Sequence, residues 1–549
     1  MSRRSPTCSR PRSICPSSTT SRRPSRCWWT PACSPADRVS SKRRPPALLL
    51  LAATAVVTVL LVPLVYLADR SLARGGSFVA DELLRWSTAM LIGRSLLLVG
   101  VVTAACVTLG VGFAVLLSRT DLPGRRWWAV ALTLPLAMPS YLLAFLWVSA
   151  IPSMNGFWGA ALVLTLVSYP FVMLTTTAAL ARVDPAQEEV ARSLGLGSVA
   201  VLFRVTLRQA RAAIAAGALL VALYVLSDFG AVAAMRYEVF TWVIYGAYRS
   251  GFNPARAAVL SLVLMLFAVV LVVGERWARG LAASRVGTGV PRPAPRARLG
   301  RWRYPATVPA AAVLVLAVLV PGVALSNWLI AGGLRWDLDR WLDALTSTLW
   351  LSAVAAVVCT AAALPLGLLA ARYRSPATRM LESAGYIAHG LPSIVVAISM
   401  VSVGILLLRP IYQREPLLIL GYLVLFVPLA VGSVRSAIES SPPRLDEVAQ
   451  SLGRSPAHVF VSVTARAAAP GIAAAAALVL LTCMKELPVT LLLHPTGVDT
   501  LATRLWGYST VSNYAAAAPY AAALLVFAAI PTALLGFWTT RSTERRIDA

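Results

Sequence analysis

The stretch DPAQEEVARSLGLGSVAVLFRVTLRQA at residues 184–210 returns as RLDEVAQSLGRSPAHVFVSVTARAA at 444–468. Glu189 matches Glu447, Ala191 matches Ala449, Ser193 matches Ser451, Gly195 matches Gly453 and Arg208 matches Arg466, all 258 residues apart. A polar segment repeated in register between apolar stretches implies two copies of one docking surface. The surroundings decide the fold class. With 58% hydrophobic and only 13% charged residues over 549 positions, the chain has too much apolar surface for a soluble core and reads as an all-α polytopic membrane protein.

Apolar runs near the roughly 20 residues that cross a bilayer stand at about 47–68, 95–117, 128–150, 158–181, 211–234 and 256–275. A second set stands at about 305–327, 346–371, 385–408, 417–438, 469–493 and 515–538, so twelve transmembrane helices are expected. Pro135, Pro139, Pro170, Pro392 and Pro428 lie inside these runs and predict kinks rather than breaks. The duplication reaches beyond the loops. Met138-Pro139-Ser140 aligns with Leu391-Pro392-Ser393 at an offset of 253, Arg119 with Arg372 at the same offset, and Asp228 with Glu486 at 258. Six is an even number, so the two six-helix halves run the same way through the membrane, as parallel repeats with a path between them. The expected division is a basic tail at 1–46, repeats at 47–277 and 305–541, an Arg/Pro linker at 278–304 and a tail at 542–549.

Short loops rich in Lys and Arg stay on the cytoplasmic side, which places both termini inside. The inner segments then include Arg119, Arg125 and Arg126, both repeated loops, Arg372, Arg374 and Arg379, and the tail with Arg541, Arg545 and Arg546. The stretch from Arg276 to Arg303, with eight arginines and no acid, is inner as well. Outer arginines (Arg70, Arg74, Arg85, Arg335, Arg340) are balanced by Asp69, Asp81, Glu82, Asp337, Asp339 and Asp343. The net charge of +27 is therefore mostly a topology signal. No basic stripe with interleaved aromatics stands on a soluble domain, which argues against nucleic acid as a partner.

The first 46 residues hold eleven Lys or Arg against one acid and four of the seven cysteines, a composition expected to be disordered. Cys8, Cys15, Cys27 and Cys33 lack the paired spacing of a zinc site and would stay reduced on a cytoplasmic tail. A start downstream, for instance at Val39, would leave SKRRPP as a positive flank to the first helix. Cys106, Cys359 and Cys483 fall in apolar runs and read as packing residues.

Within the first loop, Asp184 is an N-cap, Pro185 takes the first helical position and Gln187 is placed to complete a capping box. Ser441-Pro442 plays that part in the second copy. Each short helix runs to Leu194 or Leu452, where Gly195 or Gly453 permits a sharp turn. A second amphipathic helix then leads into the membrane. Small Ala191 and Ala449 are expected to leave a face open to close approach by another protein, with Glu188 and Glu189, and Asp446 and Glu447, supplying charge to fix its register. Read singly, either loop is no more than a capped, solvated connection. Two copies in register argue for a surface kept twice.

The pattern E-x-A-x-x-x-G, present as Glu189-Val-Ala191-Arg-Ser-Leu-Gly195 and Glu447-Val-Ala449-Gln-Ser-Leu-Gly453, is similar to the cytoplasmic signature of permeases in binding-protein-dependent ABC importers. The resemblance covers essentially everything after residue 46. It implies that these loops are coupling helices seated in clefts of two ATP-binding subunits, and that an extracytoplasmic binding protein delivers cargo to a bacterial inner-membrane permease. Lys485-Glu486-Leu487-Pro488-Val-Thr-Leu-Leu-Leu-His494-Pro495 with Asp499-Thr500-Leu501-Ala502, and Ser227-Asp228-Phe229-Gly230 in the first half, resemble the fused permeases for ferric iron, with His494 in place of an arginine.

The chain has two lysines, Lys42 and Lys485, and neither ends a G-x-x-x-x-G-K-[ST] phosphate loop. Its three histidines, His389, His458 and His494, are scattered and form neither a metal-ligand cluster nor a nucleophile–base pair. A transport subunit without covalent chemistry is expected, binding no cofactor itself and leaving ATP to its partners. Asp228, Lys485 and Glu486 are candidates for the translocation path, because charges at membrane depth normally face protein or water. Carboxylate oxygens suit a hard trivalent cation, which makes Asp228 and Glu486 candidate weak, transient contacts rather than a firm metal site. The plainer reading has Lys485 and Glu486 in fixed polar contacts at a helix end, and Asp228 capping a break before Gly230. Met138, Met235 and Met484 fit either a gate or ordinary packing. Two alternatives stay open: the same class carrying thiamine, a polyamine or a phosphonate, and an ion-gradient-driven secondary transporter, which gives no reason for the repeated loops.

Overall fold

A computed structural model describes residues 45–249, 251, 253–283, 297–333, 337–373 and 375–529. The basic tail up to residue 44, the linker stretch 284–296 and residues 530–549 lie outside these. Among the described residues nine helices are long and apolar enough to cross a membrane, or ten when a bent pair counts as one. They include Ala47–Leu72, Trp86–Arg119, Gly156–Leu180 and Ser198–Ser227 in the first half, and Pro305–Gly332, Leu338–Arg372, Glu415–Glu439 and Phe460–Met484 in the second.

Each half is built on a bundle of three long helices. Trp86–Arg119 packs on Gly156–Leu180 and Leu207–Ser227, and Leu338–Arg372 packs in the same way on Glu415–Glu439 and Ala465–Met484. Association inside a bilayer gains little from excluding water, so close packing through small residues carries the bundle. Gly110 shows how close the approach is: an added Cβ would lie 2.7 Å from Val172 Cβ and 2.9 Å from the Met173 backbone nitrogen. The free thiols of Cys106, Cys359 and Cys483 are buried, in keeping with packing.

The first helix of each half crosses over. Ala53, Val57 and Leu60 of helix Ala47–Leu72 belong to the core of the second half, while Ala310, Val313 and Ala317 belong to that of the first. The Trp328 indole N–H donates to Ser149 Oγ at 2.9 Å, tying the second crossing helix to the first half. A third core lies between the halves and contains Tyr141, Phe229, Ile394, Leu487 and Trp506.

The prolines divide into three groups. Pro170 and Pro428 sit inside continuous helices, and Pro135 lies in the 3-10 turn Leu134–Ala137 that leads to the first break. Pro139 and Pro392 stand instead at true breaks, so the expectation of kinks fails there: Arg125–Ala137 meets Ser140–Ala150 at 92°, and Pro376–His389 ends before Ser393–Leu406 begins. Each Pro precedes the first residue of a new helix, in extended backbone (ψ 135° and 139°), where its missing N–H and fixed φ end one helix and start the next. At the loop-bearing end the linker is anchored: Ala297 pairs with Thr120 in an isolated parallel bridge, and Leu299 N–H donates to Asp121 Oδ1 at 2.8 Å. At the opposite end the arginines are paired, Glu82 with Arg85 and Arg256, and Asp337 with Arg340.

Gly110→Val drives a side chain into backbone as well as side-chain atoms and should cost about 1–3 kcal/mol, whereas Gly100, with nothing within 4 Å of its built Cβ, should accept alanine. Thermal unfolding of the purified variants checks this, and equal midpoints would contradict the packing described.

Candidate functional site

The two loops fold alike. The first short helix is Pro185–Ser193, with Asp184 Oδ1 accepting the Ala186 N–H at 3.0 Å as its N-cap. Gln187 does not close a capping box, because its side-chain oxygen accepts from the Gln209 amide at 3.0 Å. The second is Pro443–Ser451, capped by Pro442 without a side-chain bond. Ser441 departs from its expected role: its hydroxyl is buried without a hydrogen-bond partner among the described residues, and its carbonyl accepts from Arg372 Nη2 at 3.1 Å. Gly195 (φ 86°) and Gly453 (φ 82°) take the left-handed conformation that ends both helices. Leu196 N–H to Ala191 carbonyl (3.1 Å) and Arg454 N–H to Ala449 carbonyl (3.3 Å) close the turns.

Beneath each loop lies a three-residue clasp. Arg119, the last residue of its long helix, pairs with Glu188 at 3.1 Å and donates to the Leu180 carbonyl at 3.0 Å, while Thr206 Oγ1 donates to Glu188 at 2.8 Å. In the second half Arg372 pairs with Asp446 at 3.1 Å and Thr464 Oγ1 donates to Asp446 at 2.7 Å. Both threonines end a π-helical turn, Leu202–Thr206 and Phe460–Thr464, which leads directly into the long helix that follows. The local departure from α geometry thus recurs where the hydroxyl must meet the acid. The second clasp is looser: the first pair is 9% and 4% exposed, the second 13% and 14%.

Glu188 and Asp446 face inward, and Glu189 and Glu447 are exposed. Ala191 is buried too, so its small size serves the packing of Pro185–Ser193 against the following turn, in contrast to the open face expected of it. Ala449 is partly buried. The outer face is formed by Val190 and Val448 (59% and 58% exposed), Leu194 and Leu452 (77% each), and Phe203 and Val461 (65% and 70%). Equivalent residues in the two copies are thus exposed to the same degree.

Farther along each half, a carboxylate caps a short helix after a break. Asp228 accepts the Ala231 N–H at 2.9 Å and the Ser140 hydroxyl, at the head of helix Gly230–Ala234. Glu486 accepts the N–H groups of Val489 and Thr490 at 3.1 and 3.0 Å and the Thr490 hydroxyl at 3.1 Å, at the head of Pro488–Leu493. The donor Ser140 follows the helix-breaking Pro139, so in the first half the two breaks are bonded to each other. Lys485 is partly buried and donates to the Leu136 carbonyl at 3.3 Å, across the halves. Trp506 of the second half packs its ring 5.4 Å from Phe145 and 5.5 Å from Phe229 of the first. Among the described residues no group of three or more His, Cys, Asp or Glu side chains is placed to hold a metal ion.

The clasp arginines and threonines and Ser140, which make the contacts at the candidate site, are residues that a reading of single motifs passes over. Their signal in the sequence is the offset alone: Arg119/Arg372 and Ser140/Ser393 recur at 253 residues, and Thr206/Thr464 at 258.

Residues 106–284 and 363–548 match the family described as binding-protein-dependent transport system inner membrane component. The chain is 35% identical over 481 residues to the Fe(3+)-transport system permease protein FbpB 2 of Haemophilus influenzae, covering 87% of this chain and 95% of that one. It is 31% identical over 187 residues to the probable molybdenum ABC transporter permease protein of Haloferax volcanii, covering 31% of this chain and 69% of that one. It is 29% identical over 177 residues to the sulfate transport system permease protein CysT of Salmonella typhimurium, covering 28% of this chain and 64% of that one.

Arg119→Ala removes the nearer partner of buried Glu188 and leaves it the more exposed Arg192 at 3.7 Å, and should destabilise the protein by about 3 kcal/mol; Thr206→Val, which removes one hydrogen bond, should cost about 1 kcal/mol. Adding Glu188→Leu to Arg119→Ala should recover part of the loss. Thermal unfolding in detergent decides it, and a double variant less stable than Arg119→Ala would contradict the clasp.

Proposed function

The chain belongs to the family of binding-protein-dependent transport system inner membrane components, and from this we propose that it is the fused, duplicated permease of an ABC importer for ferric iron. The observation that carries the reading is the pair of loops, each held by an arginine–acid–threonine clasp and each turning the same apolar face outward. Two equivalent faces suit two equivalent ATP-binding subunits, which use the ATP; this chain is the transport subunit. The cargo follows from the reach of the likeness, since the ferric-iron permease matches 87% of the chain whereas the molybdenum and sulfate permeases match 31% and 28%.

In this reading the repeats occupy 47–277 and 305–541, with the linker inside and both termini cytoplasmic. Twelve spans result when the bent pair 125–150, the broken run 385–408 and the apolar stretch 515–538 are added to the nine continuous helices. A loaded extracytoplasmic binding protein docks around 235–255 and 494–514. Closure of the ATPase subunits draws the loops at 184–210 and 444–468 together. Because each clasp fixes a loop to a long helix, the movement passes to the halves, which open on the outer side and let the ion pass between them. Asp228, Lys485 and Glu486 lie on that path, the two carboxylates as weak, passing contacts for the cation.

Leu194→Asp with Leu452→Asp places charge on both docking faces without touching a clasp. Uptake of radiolabelled ferric ion by iron-starved cells should fall at least tenfold while the protein remains in the membrane, and Glu189→Ala with Glu447→Ala should reduce it less. Normal uptake in the leucine variant would contradict the coupling assignment; undiminished iron uptake in cells lacking the gene would contradict the cargo.

A further inference from the structure

The helix breaks of the two halves are built on the same plan, each with a carboxylate heading a short helix, and the contact of Lys485 with Leu136 crosses between the halves. The turn Leu134–Ala137 ends before Pro139, with Met138 extended (ψ 130°), and among the described residues no backbone N–H beyond the turn bonds the Leu136 carbonyl. The preceding carbonyls are served from within the turn, Thr133 by the Leu136 N–H and Pro135 by the Met138 N–H, each at 3.1 Å. A backbone acceptor in a protein interior needs a partner, and here it receives the Lys485 ammonium from the opposite half at 3.3 Å. At the equivalent place in the first half stands Ser227, whose hydroxymethyl group cannot span such a distance. The contact is therefore one-sided.

We propose that Lys485 is the latch of the closed permease: its bond to the Leu136 carbonyl holds the halves together at the level of the two helix breaks and sets a fixed positive charge across the path. The inference rests on the importer reading. Lys485 follows the helix Ala465–Met484 directly and is next to Glu486. The helix end favours its charge, while the Glu486 oxygens are engaged by Val489 and Thr490. The ammonium is thus left to the carbonyl across the interface. While the latch is shut, a free cation meets like charge where Lys485 crosses between the halves. When the halves part, Leu136 moves away with the first half, the ammonium gains water, and the barrier falls with the opening. The role is one of positioning and exclusion rather than of holding cargo, and it accounts for a lysine beside carboxylates on a path for cations.

The test uses the complex purified with its own ATPase subunits and reconstituted in liposomes. ATP hydrolysis without binding protein and entry of radiolabelled ferric ion, freshly diluted from acid and supplied without chelator or binding protein, are measured together. Lys485→Met should raise both at least threefold, and Lys485→Arg, which can still donate to the carbonyl, should raise them less. Basal hydrolysis and entry unchanged in Lys485→Met would overturn the latch. An unmodified complex that hydrolyses ATP yet imports no ferric ion from its binding protein would contradict the cargo, and the latch would still be judged by basal hydrolysis.

Discussion

A buried arginine at the end of a long helix must find an acid, and the loops are shaped by that need. Arg119 and Arg372 each close a helix of the central bundles. Their guanidinium groups are held against Glu188 and Asp446, with a carbonyl and a threonine hydroxyl completing the arrangement. A buried ion pair of this kind adds little net stability over apolar packing, yet removing one partner is costly. It therefore acts as a positional constraint, fixing where each loop helix sits on its bundle. Glu188 and Asp446 turn inward, and the neighbouring Glu189 and Glu447, a further 100° around the helix, turn outward with Val190, Leu194 and their counterparts.

The helix breaks answer a second constraint. Backbone polar groups inside a membrane protein must be satisfied by the protein itself, and a proline in an apolar run frees a carbonyl. In the first half a serine that follows the proline reaches the carboxylate that caps another short helix, Ser140 to Asp228, and in the second half Glu486 caps the equivalent short helix through the N–H groups of Val489 and Thr490. The crossing of helices Ala47–Leu72 and Pro305–Gly332 into opposite cores then makes the halves interdependent. Movement between them has to occur around that exchange, through the central core shared by Tyr141, Phe229, Leu487 and Trp506.

Much of this was legible in the sequence. The fixed offsets exposed the duplication, Asp184-Pro185 announced a helix start, and Gly195 and Gly453 announced its end, because each depends on local backbone chemistry alone. What was not legible depends on direction or on distant partners. A residue pattern does not say which of two adjacent acids faces inward, and the small size of Ala191 fits an outer or an inner contact equally well. Gln187 was drawn from its cap by Gln209, which lies 22 residues away in sequence. Pro139 and Pro392 produced breaks where Pro170 and Pro428 did not, a difference set by the packing around them rather than by the proline. The exchange of first helices leaves no local trace at all.

The central claim is that two equivalent faces, one on each half, receive the ATP-hydrolysing partner. Its most direct measurement is photo-crosslinking in intact membranes from a photoreactive amino acid placed at Leu194 or at Leu452. The account predicts that both positions capture the same ATPase subunit with comparable yield, while a probe at exposed Trp158, at the far end of the same half, captures none. Crosslinks from neither loop position, or equal capture from all three, would contradict it.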